Sequence, residues 1–207
     1  MIYTSLKNDK IKNIKKLNEK KYRDEFNEFL IEGEHLVLEA YKKGYLKTLI
    51  LEENTNIDID VEKIFVTYEI LKSISNLTNP PKIMGISKKI ETNLDLNTNR
   101  ILILDNVQDP GNLGTIIRSS VAFDIDTLIL SGDCVSIYNP KVLRATQGMI
   151  FNLNIVISDN LIDTVKSLLN NNYKVYATKV NGGNELKNVE KVEKFAIIMG
   201  NEGNGGS

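Results

Sequence analysis

Short runs of consecutive apolar residues, separated by stretches with helical spacing, dominate the second half of this chain. The clearest run is Ile-Leu-Ile-Leu at 101–104, and similar strands are predicted at 127–130, 154–157, 175–178 and 195–199. The intervening helices are predicted at 115–123, 140–148 and 161–170. A strand without polar alternation is expected to be buried on both faces, as in parallel sheets covered by helices. This alternation predicts an open parallel α/β sheet from residue 100 onwards.

The first half of the chain predicts a smaller α/β unit. Its strands are predicted at 29–31, 48–51, 64–67 and 82–87, and its helices at 34–43 and 68–77. Gly44 is a usual residue after a helix C-terminus, and Asn79-Pro80-Pro81 ends the second helix. The polar stretch at 91–99 is predicted to be a linker. We therefore expect one domain at 1–90 and a second at 100–207.

Positive charge is concentrated near the N-terminus, although the whole chain has a formal charge of −1. Residues 1–23 contain eight basic side chains and two acidic ones, a local charge of +6. Ile11, Ile14 and Leu17 recur at helical spacing, which predicts a basic amphipathic helix. Two interpretations stay open, a solvated helix face and a surface that contacts RNA phosphates. The candidate RNA-binding residues are Lys12, Lys15, Lys16 and Arg23, with Lys141 and Arg144 from a later helix.

One cysteine (Cys134) and one histidine (His35) limit the chemistry that the chain can carry. A single cysteine excludes a disulfide framework and fits a reducing compartment. One cysteine and one histidine far apart exclude the usual zinc clusters, so we expect no metal. The N-terminus lacks an apolar signal core, and no apolar run approaches the ~20 residues of a membrane span. The sequence therefore predicts a soluble, cytoplasmic protein.

A loop whose residues could bind a ligand follows the strand at 101–104. Gly111 and Gly114 would let the backbone approach a ligand closely, and Asn112 lies near the start of the next helix. A helix N-terminus offers free N–H groups and a partial positive charge, and Arg118 adds a permanent cation. This arrangement suits a phosphate or a ribose oxygen. The alternative is a tight turn in which Asn112 caps the helix and Arg118 is a surface residue.

A second loop, at 199–206, is rich in glycine and contains a single acidic side chain, Glu202. Its spacing departs from the dinucleotide fingerprint G-x-G-x-x-G, and the loop follows a late strand. A nucleotide-dependent enzyme of Rossmann type is therefore disfavoured. By itself this glycine loop is a weak signal.

Together the two loops are much more specific. Asp-Pro-Gly-Asn-Leu-Gly at 109–114 with Arg118, Asn-Pro-Lys-Val-Leu-Arg-Ala-Thr-Gln-Gly at 139–148 and Ile-Met-Gly-Asn-Glu-Gly at 198–203 occur in this order. This pattern resembles the SpoU (TrmH-like) family of RNA ribose 2′-O-methyltransferases. The run at 29–40, Phe-Leu-Ile-Glu-Gly-Glu-His-Leu-Val-Leu-Glu-Ala, is similar to that family's substrate-binding domain of the ribosomal-protein L30e-like type. The resemblance covers nearly the whole chain.

The resemblance implies an α/β protein with an L30e-like N-terminal domain and a trefoil-knotted SPOUT domain with a parallel sheet. It further implies S-adenosyl-L-methionine as the cofactor, a homodimer, and structured RNA as the substrate, with 23S ribosomal RNA favoured over transfer RNA. The implied catalytic residues are Asn112, Arg118 and Glu202. The implied cofactor-binding residues are Thr178, Met199, Gly200, Asn201 and Gly203.

One departure from the family pattern concerns the C-terminus. A third motif, an apolar strand followed by a Ser-Leu-Asn-type turn and a helix, is expected after Ser207, so the second domain is predicted to be C-terminally incomplete. This leaves one alternative function, a non-catalytic RNA-binding protein that keeps the fold. The presence of Asn112, Arg118 and Glu202 favours the enzyme.

Overall fold

The computed structural model of this protein describes residues 2–179 and 183–200, and the chain divides into two compact units at residue 90. The strands of the first unit are β1 (Ile2–Tyr3), β2 (Glu28–Glu32), β3 (Leu46–Glu52), β4 (Glu62–Val66) and β5 (Ile83–Lys88). Its helices are α1 (Asp9–Lys16), α2 (Lys20–Phe26), α3 (Glu34–Lys42) and α4 (Tyr68–Ile74). The predicted strands and helices of this half are all present, with bounds that differ by a few residues.

The five strands of the first unit form one sheet of mixed direction, in the order β1-β4-β3-β5-β2. β1, β4 and β3 run parallel to one another, whereas β5 runs antiparallel to both β3 and β2. Sequence patterning missed β1 because two residues are too few to show alternation. Its register, Ile2 opposite Phe65, depends on a distant strand. Ile11 and Ile14 of α1 pack with Ile50 and Ile70 in one apolar cluster.

The predicted basic amphipathic helix is present as α1, with Ile11 and Ile14 buried, but a turn separates it from a second helix, α2. α1 ends at Leu17, and α2 begins after Glu19. The guanidinium of Arg23 donates through one nitrogen to the carbonyl oxygens of Leu17 (3.1 Å) and Asn18 (2.8 Å). These carbonyls at the end of α1 have no partner within a helix, and Arg23 supplies it. Burial lowers the pKa of Arg23, while the nearby Asp24 raises it.

The strands of the second unit are β6 (Arg100–Leu104), β7 (Thr127–Ser131), β8 (Asn154–Ser158), β9 (Lys174–Ala177) and β10 (Phe195–Met199). The helices are α5 (Pro110–Ala122), α6 (Pro140–Thr146) and α7 (Leu161–Asn170), with 3₁₀ turns at Met149–Asn152 and Leu186–Asn188. The sheet order is β8-β7-β6-β10-β9, and every neighbouring pair is parallel. The predicted parallel α/β sheet is therefore confirmed.

Helix α5 begins five residues earlier than the sequence predicted, at Pro110. Asp109 is the N-cap, and its Oδ1 accepts from the main-chain N–H of Asn112 (2.7 Å). Proline suits the first helical position because it has no N–H to leave unpaired. The interpretation of Asn112 as the cap is therefore wrong, and Asn112 belongs to the first turn.

The stretch 91–99, predicted as a linker, packs onto the second unit. Leu94 and Leu96 lie against its apolar cluster. The hydroxyl of Tyr173 donates to the carbonyl oxygens of Leu96 (3.2 Å) and Thr98 (2.5 Å). The ammonium group of Lys194 also donates to Leu96 (2.9 Å) and lies 4.4 Å from the centre of the Tyr173 ring. This segment is therefore an ordered part of the second unit.

Helices α5 and α6 approach each other closely at Gly114. A Cβ atom at this position would lie 2.3 Å from Cβ of Ala145 and 3.1 Å from the carbonyl oxygen of Val142. Real atoms do not pack at such distances, so only glycine fits unless the helices separate. The close contact fixes α6 against α5, the helix that follows the loop after β6.

Candidate active site

The carboxyl ends of β6 and β10 meet where the strand order of the second sheet reverses. The chain runs outward from β6 to β7 and β8, crosses to β9, and returns through β10, which lies between β6 and β9. Open α/β sheets bind ligands at such a switch point. The main-chain N–H of Asp105 donates to the carbonyl of Met199 (2.9 Å). Thr178, just after β9, donates to Ile198 through its N–H (2.9 Å) and its hydroxyl (3.1 Å).

A pocket of about 490 Å³ opens at this edge of the sheet. Its apolar lining residues are Leu104, Val107, Ile116 and Met199, and its other lining residues are Gln108, Asp109, Asn112, Thr178 and Gly200. The volume falls within the ~300–1,000 Å³ that small-molecule sites usually have, and an apolar wall with a few polar groups is typical of them. The pocket can therefore hold a small organic cofactor.

The first turn of α5 forms one wall of the pocket. Asp109 and Asn112 both line it, and the cap that joins them fixes the helix start. The N-terminus of a helix carries a partial positive charge, so this wall favours a negatively charged or strongly polar ligand group. Asn112 is thus the predicted catalytic residue that the described structure places at the pocket.

The loop after β7 braces the loop after β6. The hydroxyl of Ser131 accepts from the N–H of Asn106 (2.9 Å), and the sulfur of Cys134 accepts from the N–H of Val107 (3.4 Å). The thiol of Cys134 can donate in turn to the carbonyl oxygen of Leu104 (3.5 Å). Leu104 and Val107 line the pocket, so this network holds part of its wall.

The predicted cofactor-binding residues divide into two groups. The first group, Thr178, Met199 and Gly200, lines the pocket at the ends of β9 and β10. Asn201 and Gly203 lie outside the described residues. The resemblance implied Thr178, Met199 and Gly200, and the structure places them at the carboxyl ends of the neighbouring parallel strands β9 and β10.

The described structure does not bring together the three predicted catalytic residues. Arg118 lies on an exposed face of α5 and is absent from the pocket lining. Asn112 and Arg118 are six positions apart, which separates them around the helix since residues three or four apart share a face. Glu202 lies outside the described residues. The roles of Arg118 and Glu202 stay predictions.

The candidate RNA-binding side chains differ in their availability. Lys12, Lys15 and Lys141 are exposed, and Lys12 makes an exposed ion pair with Asp9 (3.2 Å). Lys16 donates to Asn13 (3.1 Å), and its ammonium group lies 5.4 Å from the centre of the Tyr22 ring. An exposed lysine can exchange such weak contacts for a phosphate at little cost.

The two candidate arginines are more enclosed. Arg23 is only 8% exposed, and its guanidinium is hydrogen-bonded to the carbonyl oxygen of Leu17 at the end of α1. The prediction that it contacts RNA therefore conflicts with its position. The sequence could not reveal this, because a basic helix and a buried helix cap have the same composition. Arg144 is half-buried, and its buried NH1 atom has no hydrogen-bond partner among the described residues.

Three contributors to the site were missed by sequence reasoning, Gln108, Ser131 and Cys134. Gln108 lines the pocket, whereas Ser131 and Cys134 act on the neighbouring loop. The end of the strand at 127–130 was a usable signal, because loops at adjacent parallel strand ends are neighbours. The hydrogen bonds of Cys134, the only cysteine in the sequence, give it a structural task in this loop.

Two features are absent from residues 2–179 and 183–200. No group of three or more His, Cys, Asp or Glu side chains is placed to hold a metal ion. No helix in those ranges combines the length and the apolar character that crossing a bilayer requires.

Comparison with known proteins identifies the family of each half. Residues 99–207 match the SpoU rRNA Methylase family, and residues 8–85 match the MRM3-like substrate binding domain. The first match includes the pocket and spans more than half of the chain. This protein therefore belongs to the SpoU rRNA methylase family.

Individual relatives agree with this membership. The chain is 37% identical over 206 residues to the 23S rRNA (guanosine(2553)-2′-O)-methyltransferase RlmP of Bacillus subtilis, covering 97% of this chain and 82% of the relative. It is 34% identical over 172 residues to the human mitochondrial rRNA methyltransferase 3, covering 75% of this chain and 40% of the relative. The AdoMet-bound rRNA methyltransferase of Sinorhizobium meliloti has the same fold, with a TM-score of 0.87 and 29% identity over 99% of this chain and 82% of that one.

Proposed function

We propose that this protein transfers a methyl group from S-adenosylmethionine to a ribose 2′-hydroxyl of 23S ribosomal RNA. The observation that carries this proposal is the meeting of Asn112, Thr178 and Gly200, distant in sequence, around one pocket at the switch point. The family membership and the AdoMet-bound structural relative support the choice of cofactor. The Bacillus subtilis relative supports an rRNA guanosine equivalent to position 2553 as the target.

The pocket residues fit this cofactor in size and polarity. When bound, the cofactor supplies a methyl group on a positively charged sulfur, which makes the methyl carbon electrophilic. The apolar side chains of Leu104, Val107 and Ile116 exclude water from the pocket wall. The cofactor would be held by Thr178 and by main-chain atoms of Gly200, which line the pocket. The resemblance adds Asn201 and Gly203 to this group. Alignment is the main task, because the leaving thioether is neutral and good.

The remaining catalytic task is to make the 2′-hydroxyl a better nucleophile. Its oxygen forms the new bond to the methyl carbon, the carbon–sulfur bond breaks, and the hydroxyl proton passes to water. Arginine does not lose its proton near neutral pH, so Arg118 would hold the adjacent phosphate and stabilise developing negative charge. Glu202 would orient Arg118 or the hydroxyl, and Asn112 would fix the loop or the ribose.

We also propose that the protein works in the cytoplasm as a homodimer. Phe123, which follows α5 directly, has 76% of its surface exposed. Large exposed apolar side chains often mark protein contacts. If a second copy packed on α5, the pocket of that copy could lie near Arg118. An arginine that does not line the pocket of its own chain could then serve the pocket of the partner.

The test compares wild-type full-length protein with Asn112→Ala and with the control Asn170→Ala, at the exposed last residue of α7. Calorimetry measures S-adenosylmethionine binding, and transfer of a labelled methyl group to a 23S rRNA fragment measures turnover. We expect Asn112→Ala to lower kcat at least about tenfold, since loss of one positioned polar group commonly costs 10²–10³ in rate. Asn170→Ala should match wild type. A wild-type protein that binds RNA but neither binds the cofactor nor methylates would instead support the non-catalytic alternative.

A further inference from the structure

One polar side chain in the pocket wall has its orientation fixed from two sides. Gln108 follows β6 and lines the pocket. Its Nε2 donates to Oδ1 of Asn106 (2.7 Å) and to the main-chain carbonyl of Asp133. The first bond lies within the loop after β6, and the second crosses to the loop after β7. Gln108 is therefore held by the same pair of loops that Ser131 and Cys134 join.

These bonds leave one possible orientation for the amide of Gln108. A main-chain carbonyl can only accept, so the atom that meets Asp133 must be the –NH₂ group. Asn106 and Asp133 then use both of its protons. No group in the described ranges donates a hydrogen bond to Oε1 of Gln108. The function that this side chain still offers is a single acceptor.

Asn106, the partner of the exposed Gln108 side chain, is itself held in the loop after β6. Its φ of +56° lies in the left-handed region, which asparagine tolerates better than most residues. Its own N–H donates to the hydroxyl of Ser131 (2.9 Å). A side chain held by such a loop loses little further freedom when a ligand binds, which favours its use in recognition.

The position of Gln108 on the α5 side of the pocket selects its ligand. Thr178 and Gly200 come from the β9 and β10 side, whose residues we propose for the cofactor, whereas Gln108 and Asn112 flank the start of α5. A ribose 2′-hydroxyl is the hydrogen-bond donor that the proposed reaction must place between these two sides. An amide oxygen can accept from this hydroxyl without removing its proton, which leaves a lone pair of the oxygen free for the methyl group.

We propose that Oε1 of Gln108 accepts a hydrogen bond from the 2′-hydroxyl of the ribose that is methylated, and so orients the nucleophile. This inference rests on the function proposed above. It assigns to Gln108 the distinction between ribose and deoxyribose at the target nucleotide, since deoxyribose has no hydroxyl to donate.

The experiment measures how strongly the full-length protein prefers ribose over deoxyribose. Two 23S rRNA fragments are compared, identical except for a single 2′-deoxy substitution at the target guanosine, with S-adenosylhomocysteine present so that no transfer occurs. We expect wild type to bind the ribose form about 5- to 10-fold more tightly, as for one neutral hydrogen bond. Gln108→Ala should reduce this preference below about 2-fold and lower kcat, with S-adenosylmethionine affinity unchanged.

Asp133→Ala is the matched control, because it changes the side chain of the residue that Gln108 contacts but keeps the main-chain carbonyl that accepts the hydrogen bond. It should preserve the ribose preference. Loss of the preference in both variants would assign the effect to a disturbed loop and overturn the inference. So would a Gln108→Ala protein that keeps the preference, or one that loses cofactor affinity instead. A wild-type protein that methylates no rRNA fragment would overturn the proposed function itself, which is a different outcome.

Discussion

Each unit of this protein contains a five-stranded sheet, but the strands of the two sheets differ in direction. In the second unit all strands are parallel, so their carboxyl ends gather at one edge, where residues at or after the ends of β6, β9 and β10 line the pocket. In the first unit β5 and its neighbours alternate in direction, so successive loops fall at opposite edges. Strand direction thus decides which unit can surround a small molecule.

The polar groups of the two units follow the same division. In the first unit they are largely paired with each other, as in Lys10 with Glu62 (2.5 Å) and Lys89 with Asp24 (2.5 Å). In the second unit Gln108 and Asn112 line a cavity. The second unit therefore offers a site to a small molecule, whereas contact of the first unit with RNA stays a prediction. A change in one unit should leave the task of the other intact.

The largest expected effect is from Gly114→Ala in the second unit. The added methyl group would meet Ala145 and the α6 backbone, and such overpacking costs about 3 kcal/mol of unfolding free energy. We expect loss of cofactor binding in calorimetry while urea unfolding still shows the transition of the first unit.

The control for this prediction is Gly132→Ala, where the nearest atom to an added Cβ is the Ser158 carbonyl oxygen at an ordinary 3.8 Å. It should bind the cofactor as wild type does. Simultaneous unfolding of both units in Gly114→Ala would break the comparison, because it would show that the units are not independent.

A smaller effect is expected from Arg23→Met in the first unit. Removing the guanidinium leaves the carbonyl oxygens of Leu17 and Asn18 without their partner, which costs about 1–2 kcal/mol. Denaturant unfolding measures this loss, and cofactor affinity should not change. Lys20→Met, an exposed change on the same helix, should cost less than about 0.5 kcal/mol. If Arg23→Met weakened RNA binding without loss of stability, this result would support a direct contact between Arg23 and RNA.

The smallest effect concerns pH. The hydrogen bond from Lys10, and after it one from Thr48, lowers the pKa of Glu62. A carboxyl whose pKa is lower in the folded state stabilises the fold above its unfolded value of ~4.3, and this contribution is lost as the pH falls through the folded pKa. Since Glu62 is largely exposed, solvent screening keeps the effect small.

Thermal unfolding of Glu62→Gln checks this direction. The variant should be slightly less stable than wild type at pH 7, and the difference should shrink as the pH falls through the lowered pKa of Glu62. Added salt should also reduce the difference at pH 7. A difference that grows on acidification would contradict the assigned cause.

The sequence predicted the second sheet well because its strands contain short runs of consecutive apolar residues, and β7 is buried along its whole length. Ile101 and Ile103 are fully buried, and such runs have few other structural explanations. Helix α7 matched its predicted range because it has both a clear apolar period and an asparagine cap, Asn160. Local signals were sufficient where a segment's own residues determine its structure.

The errors arose where two local signals compete and where residues from other segments decide the outcome. Asp109 and Asn112 are both good caps by composition, and the choice between them depends on where Pro110 can start the helix. The turn that ends α1 depends on a hydrogen bond from Arg23 to carbonyls several residues away. For the site, the resemblance indicated Asn112 and Thr178, but the fixed amide of Gln108 depends on the carbonyl of Asp133, which no local pattern reveals.

The place of β10 has a consequence for how the protein is made. β10 is the last described strand along the chain, yet it lies inside the sheet between β6 and β9. While the ribosome is still adding residues 195–199, β6 and β9 have no partner on their facing sides, and the pocket lacks Met199 and Gly200. Unpaired strand edges attract other chains, so the nascent second unit is exposed to misassembly at least until β10 emerges. The first unit, whose strands all precede residue 90, can complete its sheet well before then.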